Sequence, residues 1–169
     1  MTSLPDPGFA GDDGSAPPAL ATALAAYDAD PERLHTPTLA VLQEARLLVP
    51  VVALLGESEQ QERPDGTTLT HDKTSDMATV LMRGQDGRTA LLAFTGTDSL
   101  RRWDPQARPV PVTASRAAQA AVQDGAAALV VDVAGPVLFA VEGDDLEQLA
   151  REHRLVRLSD RYAWVRPGR

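Results

Sequence analysis

Histidine is the side chain best suited to acid–base or metal work near neutral pH, and the chain has His35, His71 and His153. None has a second histidine or a carboxylate three or four residues on, the spacing by which a helix would present a metal pair. The one adjacent pairing, His71-Asp72, falls in a polar stretch and reads as exposed loop. Ser58, Ser75, Ser99, Ser115 and Ser159 lie outside any G-x-S-x-G elbow and read as turn or cap residues. Gly84, Gly87 and Gly96 form neither G-x-G-x-x-G nor G-x-x-x-x-G-K-[ST], so no phosphate loop is signalled. Asp132, Glu142, Asp144 and Asp145 could gather at a strand end as a carboxylate cluster, although Asp144 and Asp145 read more simply as helix caps. Cysteine is absent, which removes thiolate ligands, disulfides and thiol nucleophiles. No catalytic residue, cofactor or metal site is assigned on these grounds.

The residues with the composition of a recognition surface are Arg101, Arg102 and Trp103, with Arg108 close behind. Tryptophan supplies contact area and arginine supplies planar donors, the pairing found at interface hot spots. A second reading stays open: Leu100 and Trp103, three apart, would cover one end of a core while the arginines face water. Lys73 to Asp76 reads as a turn into the next strand.

The elements that would position these residues follow from apolar periodicity. Residues 1–18 are rich in Pro, Gly and Asp without apolar period, so a disordered acidic tail is expected, followed by a single domain over 19–169. An Ala/Leu helix runs from Pro18 through Tyr27 and stops before Pro31. A second helix is expected from Thr36 and Pro37 to about Arg46. Leu47 to Leu55 is a buried strand, with a bulge or edge-facing position at Pro50. A long loop covers Gly56 to Asp72, with a short strand at Thr67 to Thr70.

Asp76 to Arg83 and Arg88 to Phe94 form a hairpin about Asp86-Gly87. Thr97 or Asp98 caps a short helix through Trp103, and Pro109 to Val112 is extended. A small-residue helix, Ala114 to Gln123, closes on Gly125 and feeds a strand over Ala127 to Asp132. A turn at Ala134 to Pro136, a strand Val137 to Glu142, a helix to about Glu152 and a hairpin of Leu155–Leu158 with Tyr162–Val165 complete the chain.

Composition agrees with one α+β domain, a mixed sheet with helices packed on it. At 169 residues and 43% hydrophobic the chain can close one core, and 4% aromatics make that core aliphatic. Net charge is −8, which argues against nucleic acid as a partner because phosphate contacts need a basic face. The charge is uneven. Residues 151–169 hold six arginines against Glu152 and Asp160, hence +4, while residues 1–32 are purely acidic. Lys73 is the only lysine, so the arginines read as codon bias and solvated surface before a binding patch. No apolar run approaches the ~20 residues that a membrane span requires, and the N-terminus has no export pattern; a cytoplasmic location is expected.

Two segments share a plan. ATVLMRGQDGRTALLAFTGTDSLRRW and AALVVDVAGPVLFAVEGDDLEQLA each read strand, turn with glycine, strand, acidic cap and helix. A repeated strand-strand-helix unit would put both helices on the same face of one sheet. Together the blocks LLVPVVAL, DKTSDMATVLM, DGRTALLAFTGTDSLRRW, RPVPV and GAAALVVDVAGPVLFAV resemble the bacterial SseB protein N-terminal domain family over residues 39–150. That resemblance implies a mixed α/β fold and supplies no catalytic residue, cofactor or ligand. Larger SseB-like proteins have a second domain, where this chain has an Arg-rich hairpin. The expected function is a non-enzymatic interaction or regulatory module with a protein partner or a small polar ligand. The alternative is a small-molecule sensor (amino acid or nucleotide) or small enzyme whose pocket borders the 56–72 loop.

Overall fold

A computed structural model describes residues 9–53, 60–62, 66–71 and 77–168. Helices α1 (Pro18–Ala29) and α2 (Pro31–Leu42) open the fold and are separated by Asp30 alone. The Asp30 carboxylate accepts from Arg33 N at 3.4 Å and pairs with Arg33 Nε at 2.9 Å, so α2 begins here and not at Thr36. Pro31 takes the first helical position, where its missing N–H costs nothing. Pro37 lies inside α2 and removes one backbone bond. Burial of Thr38, Leu39 and Leu42, with Thr38 Oγ1 donating to Ala23 O, keeps the helix continuous across it.

The chain continues through β1 (Arg46–Ala53), β2 (Gln60–Glu62), β3 (Thr67–His71), β4 (Met77–Arg83), β5 (Thr89–Ala93), α3 (Thr97–Trp103) and β6 (Arg108–Thr113). Then come α4 (Ala114–Gln123), β7 (Ala128–Val131), β8 (Phe139–Glu142), α5 (Gly143–Ala150), β9 (Arg154–Arg157) and β10 (Tyr162–Val165). The main sheet runs β2-β3-β4-β5-β7-β8, with β1 joining β4 to β6, and β9-β10 form a separate hairpin. The chain is thus an α+β domain with a mixed sheet, as its sequence leads one to expect. Within the expected 56–72 loop, β2 and β3 pair as a hairpin, so part of that stretch is sheet; residues 54–59, 63–65 and 72 lie outside those described, as does Lys73–Asp76.

Along one edge of β4 the partners change. Its C-terminal half pairs β5 (Leu81↔Leu91) and its N-terminal end pairs β1 (Val52↔Ala78), so β1 enters where β4 and β5 part. Leu48 bridges there to Phe94, exchanging N–H···O bonds of 2.7 and 2.8 Å. Because Leu48 turns its amide toward β5, Pro50, two residues on, turns the same way, and the missing N–H falls in the gap between the two partner strands. Pro50 faces Pro109 in regular register. By the same alternation Pro109 and Pro111 direct their missing donors away from β1, which blunts the outer edge of β6 against further pairing.

Strands β5 and β7 are the one parallel pair among the described residues; β7 is buried along its length and β5 from Ala90 onward, as an aliphatic run covered on two faces should be. One face carries Leu91, Ala93, Leu129 and Val131 beneath α1, α2, α4 and α5. Helix α4 approaches closely because its inner face is alanine: Ala114, Ala117, Ala118 and Ala121. The other face carries Leu92, Phe94 and Val130 beneath Leu100 of α3. The two strand-strand-helix units therefore place their helices on opposite faces, not the same one. Unit order along the sheet is kept, β4-β5 then β7-β8, while strand direction and helix face both reverse. A half-turn about an axis lying in the sheet, across its strands, combined with a two-strand shift along that axis, relates them.

The tail also differs from expectation. Residues 12–16 form a strap against the body, held by Arg46, whose side chain is 9% exposed. Its guanidinium pairs with Asp12 at 2.9 Å and donates to Ser15 O at 2.6 Å and Thr95 O at 2.8 Å. A polar, glycine-rich segment without apolar period is ordered here by charge and backbone bonds. At the other end, Gln43 brackets Leu155 with bonds of 2.7 and 2.8 Å, Trp164 Nε1 donates to Asp145 at 3.0 Å, and Arg154 pairs with Glu44. The closing hairpin is thus docked on α2 and α5.

Candidate functional site

In open sheets, side chains and loops at the carboxyl ends of parallel strands border the natural crevice, because the chain leaves those ends in different directions. After β5 the chain turns at Thr95-Gly96 into α3; after β7 it turns through Asp132 toward β8. Between these exits lies a pocket of about 590 Å³, walled by the strap, by α1, by the Thr95–Arg102 segment and by the turn reaching Val137.

Asp132 is 1% exposed and sits at the floor with φ 55, a left-handed conformation that aspartate and asparagine tolerate better than other side chains. Its backbone N–H donates to Ala93 O at 3.0 Å, extending the parallel ladder one step. Its carboxylate accepts from Thr95 N at 2.9 Å and Thr95 Oγ1 at 2.7 Å, which ties the two strand exits together. Burial pushes the Asp132 carboxyl above the usual carboxylate range, and the Thr95 bonds, the Ser99 hydroxyl and the Arg102 charge oppose that shift.

Helix α3 is capped by Gly96 and not by Thr97 or Asp98. Ser99 Oγ donates to Gly96 O at 3.0 Å and accepts from Gly96 N at 3.4 Å, leaving Thr97 to donate from both N and Oγ1 to Gly14 O of the strap at 2.7 Å. Gly96 has to be glycine for contact, not for φ. A β-carbon there would stand 2.7 Å from Ala16 N and 3.0 Å from Gly14 O. Asp13 and Ser15 complete that wall, and the hydrogen bond from the Ser15 hydroxyl holds the Asp13 carboxyl below its ordinary value.

The expected surface residues divide. Arg101 and Arg102 are exposed and line the pocket. Trp103 instead lies half-buried on Phe94, ring centroids 5.7 Å apart, in the cluster that also holds Leu100. It covers the core, the second of the two readings of this segment. Arg108 opens β6 opposite Val51 and does not line the pocket. Nor do the described residues of 60–62 and 66–71, so the pocket is not the one expected beside the 56–72 loop.

The carboxylate cluster does not form. In the antiparallel β7-β8 pair, Glu142 faces Ala128, at the opposite strand end from Asp132, and it pairs with Arg88 at 2.7 Å. Asp145 accepts from Trp164, and Asp144 from Gln148. His35 stacks on Phe139 at 4.8 Å and His153 bonds Gln148, each in a local structural role. Among the described residues no group of three or more His, Cys, Asp or Glu could hold a metal ion. The sequence reading missed Asp132 as a site residue in its own right, along with Thr95, Ser99 and the strap. The one available signal was the FTGTDS exit after the apolar strand ALLA, which marks one side of the crevice.

Among the described residues no helix is long and apolar enough to cross a membrane. Comparison with curated proteins and with solved structures returned no match. The family described as SseB protein N-terminal domain matches residues 20–148, a span that runs from Leu20 in α1 through most of α5 and holds, apart from the strap, every wall of the pocket; the chain belongs to that family.

Proposed function

We propose that this domain is a non-enzymatic regulatory module of the bacterial cytoplasm that binds a small polar ligand in the pocket between the β5 and β7 exits. The observation that carries the reading is the convergence of Arg101 and Arg102 with the buried Asp132 on a cavity of ligand size, about 590 Å³. The groups there that could do chemistry are engaged in holding shape. Ser99 bonds the Gly96 backbone and Asp132 bonds Thr95, so neither is paired as nucleophile and base. A response to the ligand would pass to a protein partner through the exposed Arg101/Arg102 face or the strap.

A thermal-shift panel of amino acids, nucleotides and small organic acids tests this, with an Arg101→Glu/Arg102→Glu double variant as control. A ligand at a hundredfold excess over its Kd adds about 2.7 kcal/mol of stability. The reading requires a shift in the wild type that the variant loses. Shifts shared equally by both proteins, or none across the panel, would remove the pocket from consideration and leave a protein-only interaction.

A further inference from the structure

We infer, building on the reading of this pocket as a ligand site, that its ligand is a small monocarboxylate with a short aliphatic body. The inference comes from an inventory of unmet bonding capacity. Two of the pocket's three carboxylates are engaged, and Asp98 stays exposed at the rim: Asp132 accepts from Thr95 N and Oγ1, and Asp13 Oδ1 accepts from Ser15 N at 2.9 Å and Ser15 Oγ at 2.5 Å. Gly14 O is doubly bonded by Thr97. The donors are not taken. Arg101 and Arg102 are exposed and, among the described residues, neither side chain makes a hydrogen bond or ion pair, although the Arg102 charge is felt at Asp132. Each guanidinium offers five N–H groups in a planar fork that matches a carboxylate or a phosphate.

The balance of charge chooses between those anions. The pocket sets two guanidiniums, Arg101 and Arg102, against three carboxylates, Asp13, Asp98 and Asp132, so a ligand with more than one negative charge meets greater repulsion than a monoanion held by the arginine fork. The opposite wall is aliphatic, built from Ala21, Leu24 and Ala25 of α1 with Pro136 and Val137 of the turn. That wall gives a hydrocarbon body surface to cover while the head group reaches the arginines.

Isothermal titration of the full chain with acetate, butyrate, hexanoate, hexylamine and inorganic phosphate, at fixed ionic strength, tests the class. Burial of each added methylene should tighten binding roughly fourfold, so hexanoate should exceed butyrate by about sixteenfold. Arg101→Gln and Arg102→Gln, both at exposed positions, should each weaken hexanoate about tenfold or more. Ala25→Glu, also exposed, should abolish binding by filling and charging the apolar wall. Hexylamine binding as tightly as hexanoate, phosphate binding more tightly, or arginine variants with unchanged affinity would overturn the carboxylate class while the pocket stands if Ala25→Glu still abolishes binding. Hexanoate binding that survives Ala25→Glu would overturn both, since the site would lie elsewhere. Absence of heat from every probe overturns the carboxylate class, and the amino-acid and nucleotide panel then decides the pocket separately.

Discussion

Asp132 is the residue on which the shape of the pocket depends most, and two substitutions separate its parts. In Asp132→Ala the buried Thr95 N–H loses its acceptor at 2.9 Å, at a cost of about 1–3 kcal/mol. An alanine at φ 55 adds about 1–2 kcal/mol of backbone strain. Loss of about 2–5 kcal/mol is expected, less whatever removing a desolvated carboxylate returns. Asp132→Asn keeps the left-handed conformation and an oxygen for Thr95 N while removing the charge, so it should lie within about 1 kcal/mol of wild type near neutrality. The pH dependence carries the sharper test. Because burial raises the Asp132 carboxyl in the folded chain above its ordinary value of 3.8, the folded state holds this proton more tightly than the unfolded state does. Its contribution to stability is therefore fully present below pH 3.8 and is lost as pH rises through the folded value. Urea unfolding of wild type and Asp132→Asn across about pH 3 to 7 isolates the term, since asparagine does not titrate. Wild type should lose stability relative to the variant as pH rises. A gap that moves the other way would show that the Thr95 bonds and the Arg102 charge outweigh burial, and would refute the desolvated-floor account.

Other perturbations address the strap and the sheet edge. Arg46→Ala removes a nearly buried guanidinium that holds Asp12, Ser15 and Thr95, and should cost about 3–5 kcal/mol by chemical denaturation; a loss under about 1 kcal/mol would mean the strap is not anchored there. Gly96→Ala would bring a β-carbon to 2.7 Å from Ala16 N, so residues 12–16 should become cleavable in limited proteolysis while the sheet core keeps its amide protection. Unchanged cleavage would contradict that contact. Replacing Pro109 with Thr and Pro111 with Val restores outward-facing donors to the edge of β6, and size-exclusion chromatography should show a larger species than the wild type at equal concentration; an unchanged elution would contradict the role of the prolines.

The fold was largely legible because its main signals are local. The buried runs ALLAF and ALVV mark strands covered on both faces, and the alanine face of Ala114 to Ala121 marks a helix packed close to them. Where expectation failed, a long-range contact decided the outcome. Pro37 looks like a helix start, but burial of Leu39 and Leu42 carries α2 through it. The tail looks disordered by composition, but one arginine thirty-odd residues away binds its backbone and carboxylate. The two similar strand-strand-helix units gave no clue to their opposite faces, because a parallel β5-β7 contact, invisible in either unit alone, reverses the second. At the site, Arg101 and Arg102 were recognisable by type, whereas Trp103 and Arg108 were grouped with them only by proximity in sequence. Asp132 read as one more acidic residue at a strand end until its left-handed backbone and its bonds to Thr95 set it apart.

The central claim is that the β5 and β7 exits form a ligand site, and amide-resolved NMR titration of the full chain with the same amino acids, nucleotides and carboxylates tests it most directly. Binding should move the amides of Thr95 to Ser99 and of Asp132 to Val137 together with Gly14 and Ser15, saturating with one dissociation constant. Shifts that cluster along β1 and β6, or that never saturate for any of these compounds, would contradict it.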